Sequence, residues 1–334
     1  MQKPFTTQKE IFISAADFNH PSLCSLDSTE ELLDWSRIEA ILSISVYSSS
    51  TGRPSYPLLT LFRAHLLGIW YGLSDVQLEQ SLYRDLLFRK FCRLELTGNV
   101  PEASTLGRFR NRLVEHELWD VLLTEVNCQL ESKNIIMTQG RINIIDATPI
   151  EAAQSGSGKG VSGSATRDQD AGWHVKQDNK GRMKSTYGFS VHTGVDEDGF
   201  IHSQSVTAGN VHDSQERDRL LLGDESALYA DAAYSSKETR DKLKHQGIKD
   251  CVQRKGYRGK PLSLKDKQRN KLISTTRSGG ERPFATYKRH YGLARTRFMG
   301  LKKNKLFYGL AAIAANIRKG SRFLSLYGLP QQFL

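Results

Sequence analysis

"GRINIIDATPI", residues 140–150, is where the chain changes character. It reads as a short strand ending at Asp146, followed by a turn that contains Pro149. Upstream, back to about residue 31, apolar residues recur three and four apart; downstream, alternating runs are interleaved with short helical ones. The expected fold is therefore α+β overall: an all-helical N-terminal part followed by an α/β core with a mixed sheet.

The helical part comprises residues 31–42, 56–73, 74–91 and 104–132, and Ser74 with Gln77 has the form of a capping box opening the third segment. Ser104 is placed to cap "TLGRFRNRL", a short basic helix carrying Arg108, Arg110 and Arg112 after the turn-like "GNVPEA". Its composition suits a DNA-recognition helix or a solvated basic helix. Residues 1–30 show no period. The division read from these patterns is an arm (1–30), a helical DNA-binding domain (31–138), an α/β catalytic domain (139–320) and a C-terminal tail (321–334).

Beyond residue 150, "QSGSGKGVSGSATRDQDAG" (154–172) is rich in Gly and Ser and reads as a mobile loop. Its Lys159 does not belong to a phosphate loop, since Ala153 stands where that motif requires Gly and Gly160 where it requires Ser or Thr. Residues 185–209 give two alternating strands around the hairpin turn "DEDG". Residues 213–223 then read as a helix and 226–234 as a strand ending at Asp231. A helix over 235–247, capped by Ser235 or Ser236 and stopped at Gly247, precedes a strand within 248–255. A basic loop leads to a long helix from about 281.

Charge is unevenly placed. Residues 1–250 carry 27 Lys or Arg against 34 Asp or Glu, net −7, whereas residues 251–334 carry 20 against 2, net +18. With aromatics interleaved in "FATYKRHYGLARTRF", this asymmetry points to a polyanion partner, nucleic acid first. No apolar run reaches the ~20 residues of a membrane span. No secretory signal is visible, so a cytoplasmic location, in contact with the nucleoid, is expected. Cys24, Cys92, Cys128 and Cys251 are too far apart for a disulfide framework and read as reduced, buried thiols.

Against this basic background stand three acids in notable contexts. Asp146 in "NIIDATP" and Asp231 in "LYADAAY" each end a β-run, where side chains escape a sheet while remaining held by it. Glu281 is the last acidic residue of the chain. On the helix expected there, Phe284, Tyr287, Tyr291, Ala294 and Phe298 form a buried stripe, with Glu281, Lys288 and Arg295 stacked along its border. Pro283 suits a first helical turn and would set Glu281 at the helix start. Any one of these acids alone is an ordinary cap; together they make a hard-oxygen set suited to two Mg²⁺ or Mn²⁺ ions, which promote in-line phosphoryl displacement.

The chain resembles the DDE transposases of bacterial insertion sequences, the insertion-sequence-five family in particular. Arg277-x3-Glu281-x6-Lys288 matches that family's Tyr-x2-Arg-x3-Glu-x6-Lys signature, with Ser274 in place of the Tyr. "IIDATPIEA" and "YADAAYSS" are similar to the segments holding the two catalytic Asp residues, and "YGFSVHTGVDEDGFI" with "VTAGNVHDS" to the connecting segment. The resemblance implies a ribonuclease H-like catalytic core with Asp146, Asp231 and Glu281 as catalytic metal ligands. It implies binding of double-stranded DNA, both terminal inverted repeats and target, with cleavage exposing 3′-hydroxyls that attack the target. It implies a homodimer or higher assembly, since two ends are cut together. Arg277 and Lys288 would contact DNA near the cut, with Arg289, Arg295, Arg297, Lys302, Lys303 and the arginines at 108, 110 and 112 as further contacts. "RDQD", containing Arg167, Asp168 and Asp170, resembles a familiar element without a catalytic role, and His212 with Asp213 reads as a cap.

Three rival readings use the same residues: a catalytically silent DNA-binding protein, a metal-dependent nuclease without strand transfer, and a tyrosine recombinase. The last needs a His-x-x-Arg pair, whereas His290 precedes Arg295 by five.

Overall fold

The computed structural model describes residues 20–45, 55–137, 139–154, 168–177, 181–257 and 259–328. Residues 1–19 of the expected arm and residues 155–167 of the expected mobile loop lie outside the described residues.

The helices α1 (Asp27–Leu32), α2 (Trp35–Leu42), α3 (Leu58–Trp70), α4 (Asp75–Arg84), α5 (Leu86–Phe91), α6 (Ala103–Glu115) and α7 (Trp119–Ser132) come first. The Ser74–Gln77 capping box opens α4 as read from the sequence. Helix α6 differs: it starts at Ala103, before the expected cap Ser104. The freed backbone N–H of Ala103 is satisfied by Glu79 Oε2 at 2.8 Å, so Ser104 is not needed as a cap and instead accepts from Arg108.

Six strands follow: β1 (Ile142–Glu151), β2 (Gly172–Gln177), β3 (Met183–Val195), β4 (Ile201–Ala208), β5 (Ala227–Ala230) and β6 (Lys249–Val252). β3 lies antiparallel to β1, β2 and β4, while β5 runs parallel to both β1 and β6. The β3–β4 hairpin turns over Asp196–Gly199 as expected, with Gly199 at φ +81° and its N–H on Asp196 O.

One expectation about β1 is corrected. The strand does not end at Asp146 but continues to Glu151, with Asp146 opposite Thr193 and Pro149 opposite Ser190. The cause is the lateral pairing: β1 touches β5 only from Ile142 to Ile144. Past that point β1 has left β5, and a strand with one free side tolerates a proline, which a central strand does not.

Short helices link the parallel strands. The expected helix over 213–223 is reduced to a 3-10 turn, Asp213–Gln215, and α8 (Arg217–Leu220). Helix α9 (Lys237–His245) has Ser236 as its N-cap and Gly247 at φ +71° after its end, as read.

The long helix expected from 281 is also redrawn. Helix α10 (Leu264–Arg277), capped by Ser263, occupies what read as a basic loop. Its backbone stays in right-handed helical geometry through a 3-10 turn at Ser278–Gly280, α11 (Glu281–Ala285) and a π-turn at Thr286–His290. Pro283 sits within this path rather than at its start, and the helix changes type on either side of it, as a residue lacking an N–H requires. The chain leaves helical geometry near Tyr291, with Gly292 at φ +67°. Phe284, Tyr287 and Tyr291 are buried as expected; Ala294 and Phe298 fall beyond the helix, and Arg295 no longer stacks above Lys288.

The last helix, α12 (Leu301–Tyr327), unites the molecule and takes in residues 321–327 of the expected tail. Trp70 of α3 donates its indole N–H to Ala314 O at 2.9 Å. Gly309 lies against Trp119 so closely that a Cβ there would meet the Trp Cβ at 2.6 Å. Asn316 accepts from Ile201 N–H and donates to Ile201 O and Asn127 Oδ1. One apolar core thus runs from Leu26 to Leu324, through both helices and sheet. None of the described helices is long and apolar enough to cross a membrane. All four cysteines are free thiols; Cys92 and Cys251 are buried as expected, but Cys24 and Cys128 are exposed.

Candidate active site

Parallel strands β1 and β5 part after the pair Ile144–Tyr229, and each carries an aspartate two residues further on. Asp146 and Asp231 therefore stand together at the carboxyl ends of splaying parallel strands, where the crevice that opens is the usual ligand site of such sheets. Asp231 also caps the 3-10 turn Ala232–Tyr234, accepting from Ala233 N–H at 2.8 Å. A cavity of about 240 Å³ lies here, lined by Asp146, Asp231 and Thr148 and also by Asp213.

The helical path that carries Glu281 approaches β1 because of two glycines. A Cβ on Gly280 would come within 2.8 Å of Ile144 Cγ2, so the bare Gly279–Gly280 backbone lets the helix press onto β1. Arg277 and Glu281 are then one turn apart on a shared helical path. Arg277 places Nη1 3.3 Å from Asp146 Oδ2 and Nη2 3.7 Å from Glu281 Oε1. Ser274, at the position where the signature has Tyr, accepts from Gln253 Nε2 at 2.6 Å.

Burial pushes the Asp146 carboxyl up to about 6; Arg277 opposes the shift, while Asp231 and Glu281 add to it. Among the described residues, no group of three His, Cys, Asp or Glu side chains is gathered as metal ligands. The positive charge between Asp146 and Glu281 is the Arg277 guanidinium.

The expected DNA-contacting cations are placed unequally. Lys288 is half-buried beside the cavity and donates to Thr148 Oγ1 at 2.5 Å. Arg289 and Lys303 are exposed. Lys302 faces Glu117 at 3.4 Å. Arg295 closes the end of β1 by donating to the Ala152 and Ala153 carbonyls, each at 3.0 Å. Arg297 binds the carbonyls of Gly72 and Leu73 between α3 and α4. On α6, Arg108 is exposed and Arg112 half-exposed, but Arg110 is buried, ion-paired with Asp75 and lying 4.5 Å over the Phe298 ring. A charge alternation on a short helix does not reveal which arginine turns inward.

Two roles were not legible beforehand. Asp168 and Asp170 accept from the first N–H groups of α12, those of Gly300 at 3.1 Å and Leu301 at 2.8 Å, so the acids of "RDQD" cap a helix distant in sequence. His212 caps the following 3-10 turn as expected, but Asp213 turns toward the carboxylate cavity, its Oδ1 3.7 Å from His192 Nδ1.

Asp146 and Asp231 thus face one crevice of a mixed sheet behind a helical N-terminal region, with Glu281 on the adjoining helical path. Residues 137–317, more than half of the chain, match the family model of the transposase DDE domain, and residues 15–112 match a second, transposase domain (DUF772). The chain belongs to the transposase DDE domain family and is a transposase-type enzyme. No solved structure matches it.

Proposed function

We propose that the protein is a DNA transposase of the insertion-sequence-five type, built on a ribonuclease H-like core. In this reading it binds the inverted repeats of its element, cleaves to expose 3′-hydroxyls, and joins them to target DNA. The observation that carries it is the pair Asp146 and Asp231 on one cavity where β1 and β5 part, with Glu281 linked to Asp146 through Arg277. The sheet order, with β3 antiparallel at the centre and β1, β5 and β6 parallel beside it, supports the core assignment.

Hard carboxylate oxygen is the ligand chemistry of divalent cations: Asp146 and Asp231 line one crevice, and Glu281 would join them there once the Arg277 guanidinium that faces both Asp146 and Glu281 gives way. When two Mg²⁺ or Mn²⁺ ions are bound, their chemistry is activation of the attacking oxygen and stabilisation of the leaving one. Asp146, Asp231 and Glu281 would hold the cations. Lys288, fixed through Thr148 at the cavity wall, orients the phosphate, and Arg277 contacts the strand near the cut. The exposed cations Arg289, Lys303 and Arg108 extend the contact with the duplex. A dimer or higher assembly brings two ends together.

The test is purified protein with Mg²⁺ and labelled DNA bearing the ends of the element. Nicks with 3′-hydroxyls and joined products are expected, and the joined products separate a transposase from a simple nuclease. Activity that survives replacement of Asp146, Asp231 or Glu281 by Ala would sink the mechanism.

A further inference from the structure

Strands β2 and β3 extend past the rest of the sheet as a two-stranded ribbon, and the ribbon has two chemically different faces. Lys176 lies directly across from Lys184, and His174 across from Thr186. All four line the cavity that holds Asp146 and Asp231. With a period of two, the intervening residues Trp173, Val175 and Met183 fall on the opposite face, where they are exposed.

A Lys–Lys pair in direct cross-strand register is unfavourable, because like charges there repel. Neither lysine forms an ion pair among the described residues, and both are exposed. Lys288, bonded to Thr148 of the cavity wall, is close enough to feel Lys184, whose charge adds to burial in lowering its proton affinity. Two lysines on the wall of one acidic crevice and a third beside it therefore have no carboxylate partner among the described residues. That arrangement is stabilised by a ligand with closely spaced negative charges that passes over the crevice, and the sugar–phosphate backbone of a nucleic acid strand has that chemistry.

We propose that the β2–β3 ribbon is the phosphate-binding wall of the active site: Lys176 and Lys184, together with Lys288, neutralise neighbouring backbone phosphates of the strand led to Asp146 and Asp231. This rests on the reading of the protein as a DNA transposase, and it adds an element outside the Arg277–Glu281–Lys288 segment to the substrate path.

The experiment measures binding of a fluorescent single-stranded oligonucleotide to the full chain by anisotropy across a KCl series in EDTA. The wild type is compared with Lys176→Gln/Lys184→Gln, with Lys176→Arg/Lys184→Arg, and with the control Lys265→Gln/Lys271→Gln, two exposed cations of α10 that do not line the cavity. Each phosphate contact contributes about 0.7 to the log–log salt slope on a single strand, so the ribbon double variant is expected to flatten it by roughly 1.4. The Arg pair is expected to keep the wild-type slope, and thermal unfolding of the Gln pair to remain at or above that of the wild type, since a repulsion is removed. An unchanged slope in the Gln pair, or an equal flattening in the control pair, overturns the proposal. The nicking assay is read separately: nicking by the wild type with no slope change removes the ribbon wall alone, while a slope change without nicking leaves a nucleic-acid site and removes the transposition reading.

Discussion

Arg277 lies 3.3 Å from Asp146 and on the same helical path, one turn before Glu281, so the cation nearest the first aspartate is carried by the element that delivers the third acid. Asp146 has a side chain only 16% exposed, and without that cation its charge would be largely uncompensated. Arg277→Gln is expected to cost roughly 1–3 kcal/mol at pH 8 in EDTA, less than the ~3–5 kcal/mol of a fully buried pair because the site is partly solvated. Asp146→Asn in the same background should recover much of that loss. Urea denaturation of both single variants and the double variant measures the coupling; a coupling within about 0.3 kcal/mol of zero would mean that the two groups do not interact.

The glycine that lets the helix press onto β1 makes a second prediction. Gly280→Ala puts a methyl 2.8 Å from Ile144 Cγ2, and the helix must move away from β1. Overpacking of this kind costs roughly 1–3 kcal/mol. Because Glu281 and Arg277 move with the helix, metal-dependent nicking is expected to fall about tenfold or more, beyond what the stability loss explains. Ile144→Ala added to Gly280→Ala makes room and should restore part of the activity; no restoration would locate the defect elsewhere.

Capping of α12 from a distance is testable by removing the acids. Asp168→Ala with Asp170→Ala leaves the N–H groups of Gly300 and Leu301 without their acceptors. A loss of roughly 1–3 kcal/mol is expected, with the Asn counterparts milder because the amide oxygen still accepts. Equal stability of the Ala double variant and the wild type in urea would show that the caps contribute nothing.

Acid sensitivity is expected in the helical part. His65 is buried against Phe109, and burial, aided by Arg110, lowers its imidazole to about 4, with Asp75 opposing. Its folded value lies below the unfolded one, so the unfolded chain binds more protons between about 6.5 and 4. Stability is therefore present above pH 6.5 and is lost as pH falls toward 4, by about 3 kcal/mol from this group. His65→Phe should flatten the pH dependence of the urea midpoint in that window. A slope identical to the wild type would assign the acid lability to other groups.

The fold was most legible where burial imposes a period. The amphipathic helices, the hairpin around Asp196–Gly199, the Ser74–Gln77 box and the Ser236 cap all follow from local patterns that the structure reproduces. Helix α10 was not legible because it hardly has an inner face: Ile273 is its one buried residue, and the remainder reads as a polar, basic loop. Pro149 misled in the opposite direction, since it marks a turn in isolation but in β1 only the point where the strand has left β5. Within the site, the strand-end geometry of Asp231 was readable. Asp213 was hidden beside a His that does cap, and the pairing of Lys176 with Lys184 depends on a register that no one-dimensional pattern specifies.

Asn316 carries a consequence for how the chain is made. The backbone N–H of Ile201, which opens β4, is satisfied by an amide 115 residues later on α12, while its C=O accepts from both that amide and Asn127 of α7. During synthesis from the N-terminus, the hairpin and the earlier helices exist before that amide does, and Trp70, Leu32 and Leu130 also await α12. Until α12 has emerged, the nascent chain lacks the cover that this helix gives to α1, α3, α7 and β4, and the acceptor for the Ile201 N–H. A product truncated before Leu301 would present those uncovered apolar faces to the cell as a substrate for chaperones and proteases.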